Sequence, residues 1–395
     1  MSTELVQAHA KLSASGSKKW ITCTPSAELE SQFPNEDSKY SSEGTFGHSV
    51  FEHRLLGYLG RKQTPEAENQ LPDADKYLTQ DLGDAVGEAV AHAIERIKQA
   101  YSVCKDPVIL LEQRLDFSRW VPEGFGTGDL VIVAHNYIEV LDLKMGSGIA
   151  VSAYENSQFR LYMLGAFNQY NMLYDIETVI GTVLQPRLNN YSSEEISTSD
   201  LAIWAETVVV PAAKLAWVGE GIFVAGEHCS SGFCKARFTC AARAEANMEI
   251  AKSDFALVEP DLLTDHQITQ ILAKADQAIK WLGDVQSHAQ AQAEKGHHYA
   301  GFKLVTGKSN RKYKSQDAVA AALIANDVPE AVIYERSLLG ITAMEKAIGK
   351  KKFAELLTDL VEKPLGRPTL VPVSDKREEF NSAARAIADF ATTGN

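Results

Sequence analysis

Apolar positions change their period four times along this chain. Leu82, Val86, Ala89, Val90, Ala93, Ile94 and Ile97 recur at helical spacing and predict a helix over Thr79–Ala100, preceded by another over Ser42–Leu59. The period then shortens. "DPVILLEQRLDF", "GDLVIVA" and "YIEVLDLK" are β-branched runs broken by Gly, Asn and Pro, which predict three strands in a meander. A helical pattern returns over Val151–Tyr174, and "IETVIGTVLQP" is a further strand stopped by Pro186. From about Ser192 onward the pattern is mostly helical, interrupted at a cysteine cluster.

This order predicts an α/β (α+β) fold with a central mixed sheet flanked by helices and with helical N- and C-terminal additions. Three segments are expected: a main domain over 1–250, a helical connector over 251–300, and a small, mostly helical unit over 301–395 ending in a Pro-rich tail. Residues 1–40 are polar apart from "KKWITCTPSAELE", where Trp20 and Ile21 suggest a docked segment.

Composition narrows the class. With 45% hydrophobic and 23% charged residues, the chain can bury a substantial core. No apolar run approaches the ~20 residues of a membrane span, and the N-terminus lacks a secretion pattern, so a cytoplasmic protein without membrane association is expected. The formal net charge of −13 argues against wholesale coating of nucleic acid but allows a local basic groove.

Candidate chemistry centres on "GFGTGDLVIVAHNYIEVLDLKMGSG", residues 124–148, where Asp129, Asp142 and Lys144 stand among apolar residues. Strand alternation puts Asp142 and Lys144 on one face and Leu141 and Leu143 on the other. Asp129 is expected at the start of the preceding strand, delivered by the Gly-rich turn. Two carboxylates beside an amine suit Mg²⁺, which binds few carboxylates and keeps waters for a phosphate substrate. An isolated D-x-K triplet also reads as a surface ion pair. Gln158 and Tyr162, four apart on the following helix, share a face that could reach the carboxylates.

The pattern G-x-x-D, then hydrophobic-D-x-K-x-G, then Q-x-x-x-Y resembles the RecB-like branch of the PD-(D/E)XK nuclease superfamily, which includes CRISPR-adaptation exonucleases. The layout from "LSASGSKKWITCTPSAELE" through "EGTFGHSVFEH" to "KPLGRPTLVPVSDKR" is most similar to a phage and prophage family of that branch. The resemblance implies a restriction-endonuclease-like core and a metal-dependent DNA nuclease, an exonuclease used in phage recombination or DNA processing. The alternative is a nuclease-fold DNA-binding or assembly factor that does not cut.

By the same resemblance, Asp129, Asp142, the Leu143 carbonyl and His48 hold Mg²⁺ or Mn²⁺. Lys144 is the catalytic lysine, and Gln158 and Tyr162 support the site and contact DNA. Glu112 is an accessory carboxylate. Linear DNA, single- or double-stranded, is the implied partner, together with a phage single-strand-annealing or single-strand-binding protein.

Of five cysteines, Cys229, Cys234 and Cys240 are clustered, a spacing that suits one metal centre. The resemblance supplies Cys23 as the distant fourth ligand and implies a [4Fe–4S] cluster; zinc is the alternative. Cys104 reads as a small hydrophobe. Residues 295–314 interleave basic and aromatic residues, and Lys303, Lys308, Arg311 and Lys312 are candidate DNA contacts. "AGFKLVTGKSN" is not a phosphate loop, because five residues instead of four separate Gly301 from Gly307.

Overall fold

The computed structural model describes residues 10–34, 39–61, 68–254, 264–305, 314–329, 333–334, 339–357 and 360–361. Two short helices, α1 (Ser17–Thr22) and α2 (Ser26–Ser31), precede α3 (Lys39–Tyr58), α4 (Ala74–Tyr77) and α5 (Gln80–Val103). Thr79 caps α5 by accepting a hydrogen bond from the Leu82 amide, which fixes where the predicted helix begins.

The sheet is mixed and five-stranded, in the order β1 (Val108–Asp116), β2 (Phe125–Ala134), β3 (Tyr137–Leu143), β4 (Thr178–Gln185), β5 (Asn190–Ser197). The first three strands form the expected antiparallel meander. The β3–β4 pair is parallel, and parallel neighbours need a crossover; α6 (Ser157–Tyr170) supplies it.

One sheet face presents Ile109, Leu130, Ile132, Leu141 and Leu143 to a core shared with α3 and α5. The other presents Leu115, Val131, Val133, Ile138 and Val140 to α6, to Trp20 and to the stretch 198–218, which holds α7 (Thr198–Trp204) and α8 (Val210–Val218). Trp20 is buried as its sequence island suggested, and its indole N–H donates to the Ser13 carbonyl.

Three differences from the sequence reading have physical causes. The helix expected over Val151–Tyr174 begins only at Ser157, because side chains of β4 and β5 hold residues 146–155 as a loop. Gln185 donates to the Gly146 and Ile149 carbonyls, Asn190 donates to the Val151 carbonyl, and the Ser192 hydroxyl accepts from the Ala153 amide. β5 was missed because "NYSSEEIS" is polar, as suits a sheet edge. Asp129 lies within β2 instead of at its start, since Phe125–Gly128 already belong to the strand.

The helical stretch Thr198–Val218 is long and apolar enough to cross a membrane by length and composition. Asp200, Glu206 and Lys214 interrupt it and hid it from a search for unbroken apolar runs. Its Leu201, Ala205, Val209, Ala212, Ala213 and Ala216 are buried in the core.

The chain divides into two compact units, 1–297 and 298–395. The first also holds α9 (Glu227–Ser231), α10 (Ala241–Asp254) and α11 (Asp265–Glu294). The buried Arg243 guanidinium bonds to Asp284 of α11 at 2.7 Å and to the Ser230 hydroxyl, so α11 is tied to the cysteine segment. Among its described residues the second unit contains the short helices Gln316–Ile324, Ile341–Ile348 and Lys350–Leu357. The Pro-rich tail lies outside the described residues.

Candidate active site and cysteine cavity

Strand register brings three carboxylates into one row. Leu111 pairs with Leu130 and Gln113 with Gly128, so Glu112 stands opposite Asp129. Leu130 pairs with Leu141, so the next position outward sets Asp129 opposite Asp142. Like charges directly opposite one another destabilise a sheet.

The backbone is also strained there. Glu112 has φ +47°, a left-handed conformation that costs a residue with a side chain of order 1–3 kcal/mol. The face alternation resets at this row. Ile109 and Leu111 face the α3/α5 core, yet Leu115 faces the α6 core. On β2 the even-numbered Leu130 and Ile132 face α3 and α5, while a Cβ on Gly126 would strike Tyr162 and one on Gly128 would meet Leu115 and Val140.

Around the row the polar contacts converge. His48 Nδ1, from α3, lies 2.8 Å from Asp129 Oδ1, and the Leu143 amide donates to Asp129 Oδ2. The N–H and C=O of one strand residue leave on the same side, so the Leu143 carbonyl also faces β2. Lys144 Nζ is 2.7 Å from Asp142 Oδ2 as an ion pair, though that oxygen has no hydrogen bond of normal angle. Candidate ligand atoms of His48, Glu112 and Asp129 all lie within 4.8 Å of one another, so Glu112 joins the cation position more directly than Asp142 does.

Among the described residues, the other buried carboxylates, Glu139 and Glu194, have partners. Glu139 is gripped by Arg96 and accepts from the Thr182 hydroxyl, and Glu194 is held by Arg160. The contrast singles out the Glu112–Asp129–Asp142 row as a place where charge is left over.

Electrostatics agree with that reading. Burial disfavours the His48 imidazolium, but Asp129 and then Asp142 outweigh it and lift His48 to about 9. Burial, followed by the charge of Asp129, pushes Glu112 up to about 7. Its side chain is partly open to water, so the repulsion from Asp129 is the firmer cause. Burial raises the Asp142 carboxyl against the opposing pull of Lys144. Lys144 is lowered by burial but raised more by Asp142, so it stays protonated.

On the α6 side of the sheet, Gln158 Nε2 donates to Tyr162 Oη at 3.0 Å, and the Tyr162 ring fills the space left by Gly126. Burial and Asp142 hold the Tyr162 phenol protonated.

The cysteines form a second centre. Cys23, Cys229, Cys234 and Cys240 line one small cavity with Lys19, Ser26, His228 and Arg237, although Cys23 is some two hundred residues from the others. Burial and Glu30 push the Cys234 thiol up to about 11, so without a metal it stays protonated near neutral pH. A zinc tetrahedron with ~2.3 Å bonds sets sulfurs about 3.8 Å apart. Among the described residues, no three of these thiols lie mutually within 4.8 Å. Cys104 packs in the α3/α5 core.

Of the candidate DNA contacts, Lys303 is exposed, whereas Lys308, Arg311 and Lys312 lie outside the described residues. Sequence reasoning gave Glu112 only an accessory place, and its strain had no signal beyond the glycines opposite.

The chain belongs to a protein family described as "Protein of unknown function (DUF2800)", whose family model matches residues 9–378. A solved structure titled "Crystal structure of SSO0001" aligns over 57% of this chain and 96% of its own, at 12% identity and a TM-score of 0.22, a likeness too loose to carry an argument.

Proposed function

We propose that this DUF2800-family chain is a metal-dependent deoxyribonuclease built on a PD-(D/E)XK-type core. The observation that carries the reading is the cross-strand row Glu112–Asp129–Asp142, with His48 and Lys144 against it. Such a row wants a cation, and its hard oxygens with one imidazole suit Mg²⁺ or Mn²⁺.

The holding residues are Asp129, Asp142, His48 and the Leu143 carbonyl, with Glu112 beside them. A cation there supplies an activated water and stabilises charge on phosphoryl oxygens. Lys144 keeps its proton and orients the water or the scissile phosphate, while Asp142 fixes the ammonium. Gln158 and Tyr162 support the strand edge through their mutual hydrogen bond. Linear DNA is the substrate, processed in the cytoplasm, in phage recombination with a single-strand-annealing or single-strand-binding partner. The cysteine cavity holds a [4Fe–4S] cluster that ties Cys23 to the segment 229–240.

The test is incubation with end-labelled linear single- and double-stranded DNA and circular DNA, with Mg²⁺ or Mn²⁺. Lys144→Ala and Asp142→Ala should each lower cleavage at least ~10³-fold, a loss expected when a preorganised charge is removed. Cleavage that persists in both variants rejects this active site. Metal-dependent DNA binding with no cutting by the wild type would favour the assembly-factor reading.

A further inference from the structure

One polar atom beside the cysteine cavity has no work within the protein. Ser26 is 4% exposed and lines the cavity, and its Oγ has no hydrogen-bond partner among the described residues. Burying a hydroxyl without a partner costs of order 1–3 kcal/mol. The position is fixed, because the Ser26 amide donates to the Cys23 carbonyl at 2.9 Å and thereby holds Ser26 three residues from one of the thiols.

Neighbouring polar side chains on the cavity wall are already engaged. Lys19 is paired with Glu30 at 2.8 Å, Arg237 faces Asp284, and His228 Nε2 lies 2.9 Å from the Val224 carbonyl. His228 Nε2 is also 3.7 Å from Cys229 Sγ, a longer contact shared with that carbonyl. Ser26 is therefore the wall's uncommitted donor.

We propose that Ser26 is a positioning residue for the sulfur-rich group of this cavity, donating its hydroxyl proton to a sulfur of the cluster or of a coordinating thiolate. The inference rests on the iron–sulfur reading of the cavity and is independent of nuclease activity. Hydrogen bonds to sulfur stabilise the reduced, more negative state and so raise the reduction potential. No bond to the protein is made or broken when one electron is added; the hydroxyl only strengthens its bond to the more negative sulfur.

The experiment is a dye-mediated redox titration of the full chain, purified anaerobically, followed by absorbance near 400 nm with iron quantified in each sample. Ser26→Ala should keep its iron and lower the potential by about 59 mV, a tenfold shift of a one-electron equilibrium toward the oxidised state. Ser26→Thr, which keeps the hydroxyl, should stay near wild type. Equal potentials in wild type and Ser26→Ala at full iron content overturn the proposal. So does an equal shift, or equal loss of iron, in both variants, since packing would then be responsible. Wild-type protein without iron would overturn the cavity reading and this inference with it, while leaving the nuclease assay untouched.

Discussion

The two candidate centres are built in opposite ways. The carboxylate edge takes ligands from three adjacent strands and one helix, on a rigid sheet where the register sets every distance. The cysteine cavity gathers a residue near the start of the chain with three beyond residue 228, on short helices and turns. Sheet hydrogen bonds hold the first together even against its own repulsion. The second has few backbone ladders, so on the proposed iron–sulfur reading much of its order would come from what the thiols bind. On that reading the difference separates a site that costs stability from one that supplies it.

Substitution of a cysteine tests that separation most severely. Cys23→Ser should release the bound metal and lower unfolding free energy by several kcal/mol, because ligand binding to a site absent from the unfolded chain counts as folding energy. Melting temperature and iron content should fall together, with Lys144→Ala keeping its iron. A Cys23→Ser variant that melts like wild type would remove the structural half of the comparison.

Gly126→Ala probes the carboxylate edge at its support. The added Cβ would lie 2.4 Å from Tyr162 Cε1, so the ring must move. Overpacking of this kind costs about 1–3 kcal/mol. Displacing Tyr162 should also lower cleavage by ~10- to 100-fold, as small misplacements near a reacting centre do. Cleavage unchanged alongside a lowered melting temperature would leave Tyr162 as a core residue with no part in the chemistry.

Much of the carboxylate edge was legible because one strand carries its signal: Leu141 and Leu143 enter the core while Asp142 and Lys144 meet as a pair. The row itself was not legible. It depends on registers between β1, β2 and β3 and on a reset of face at Glu112, which period-two alternation does not encode. β5 escaped because its edge position allows polar residues, and residues 151–156 read as helix because the side chains that hold this loop open come from β4 and β5. The convergence of Cys23 with the distant cysteines came from family resemblance alone, as nothing local to Cys23 specifies its partners.

The smallest predicted effect is a pH dependence that distinguishes the two centres. His48 is raised from 6.5 to about 9, so its contribution to folding is fully present below 6.5 and is lost as pH rises through about 9. The Cys234 thiol, raised to about 11, has the same sign but acts only above its ordinary value of 9. Between pH 6.5 and 9 the carboxylate edge alone should therefore respond. With the side chain about a third exposed, the loss should be about 1–2 kcal/mol. A divalent cation reverses the trend, since it must displace the His48 proton and binds better as pH rises. Melting temperatures of protein stripped of divalent ions should decline over this window, and those with Mn²⁺ should decline less or rise. His48→Ala should flatten both curves; a decline that survives this substitution would move the titration away from His48 and weaken its assignment to the cation.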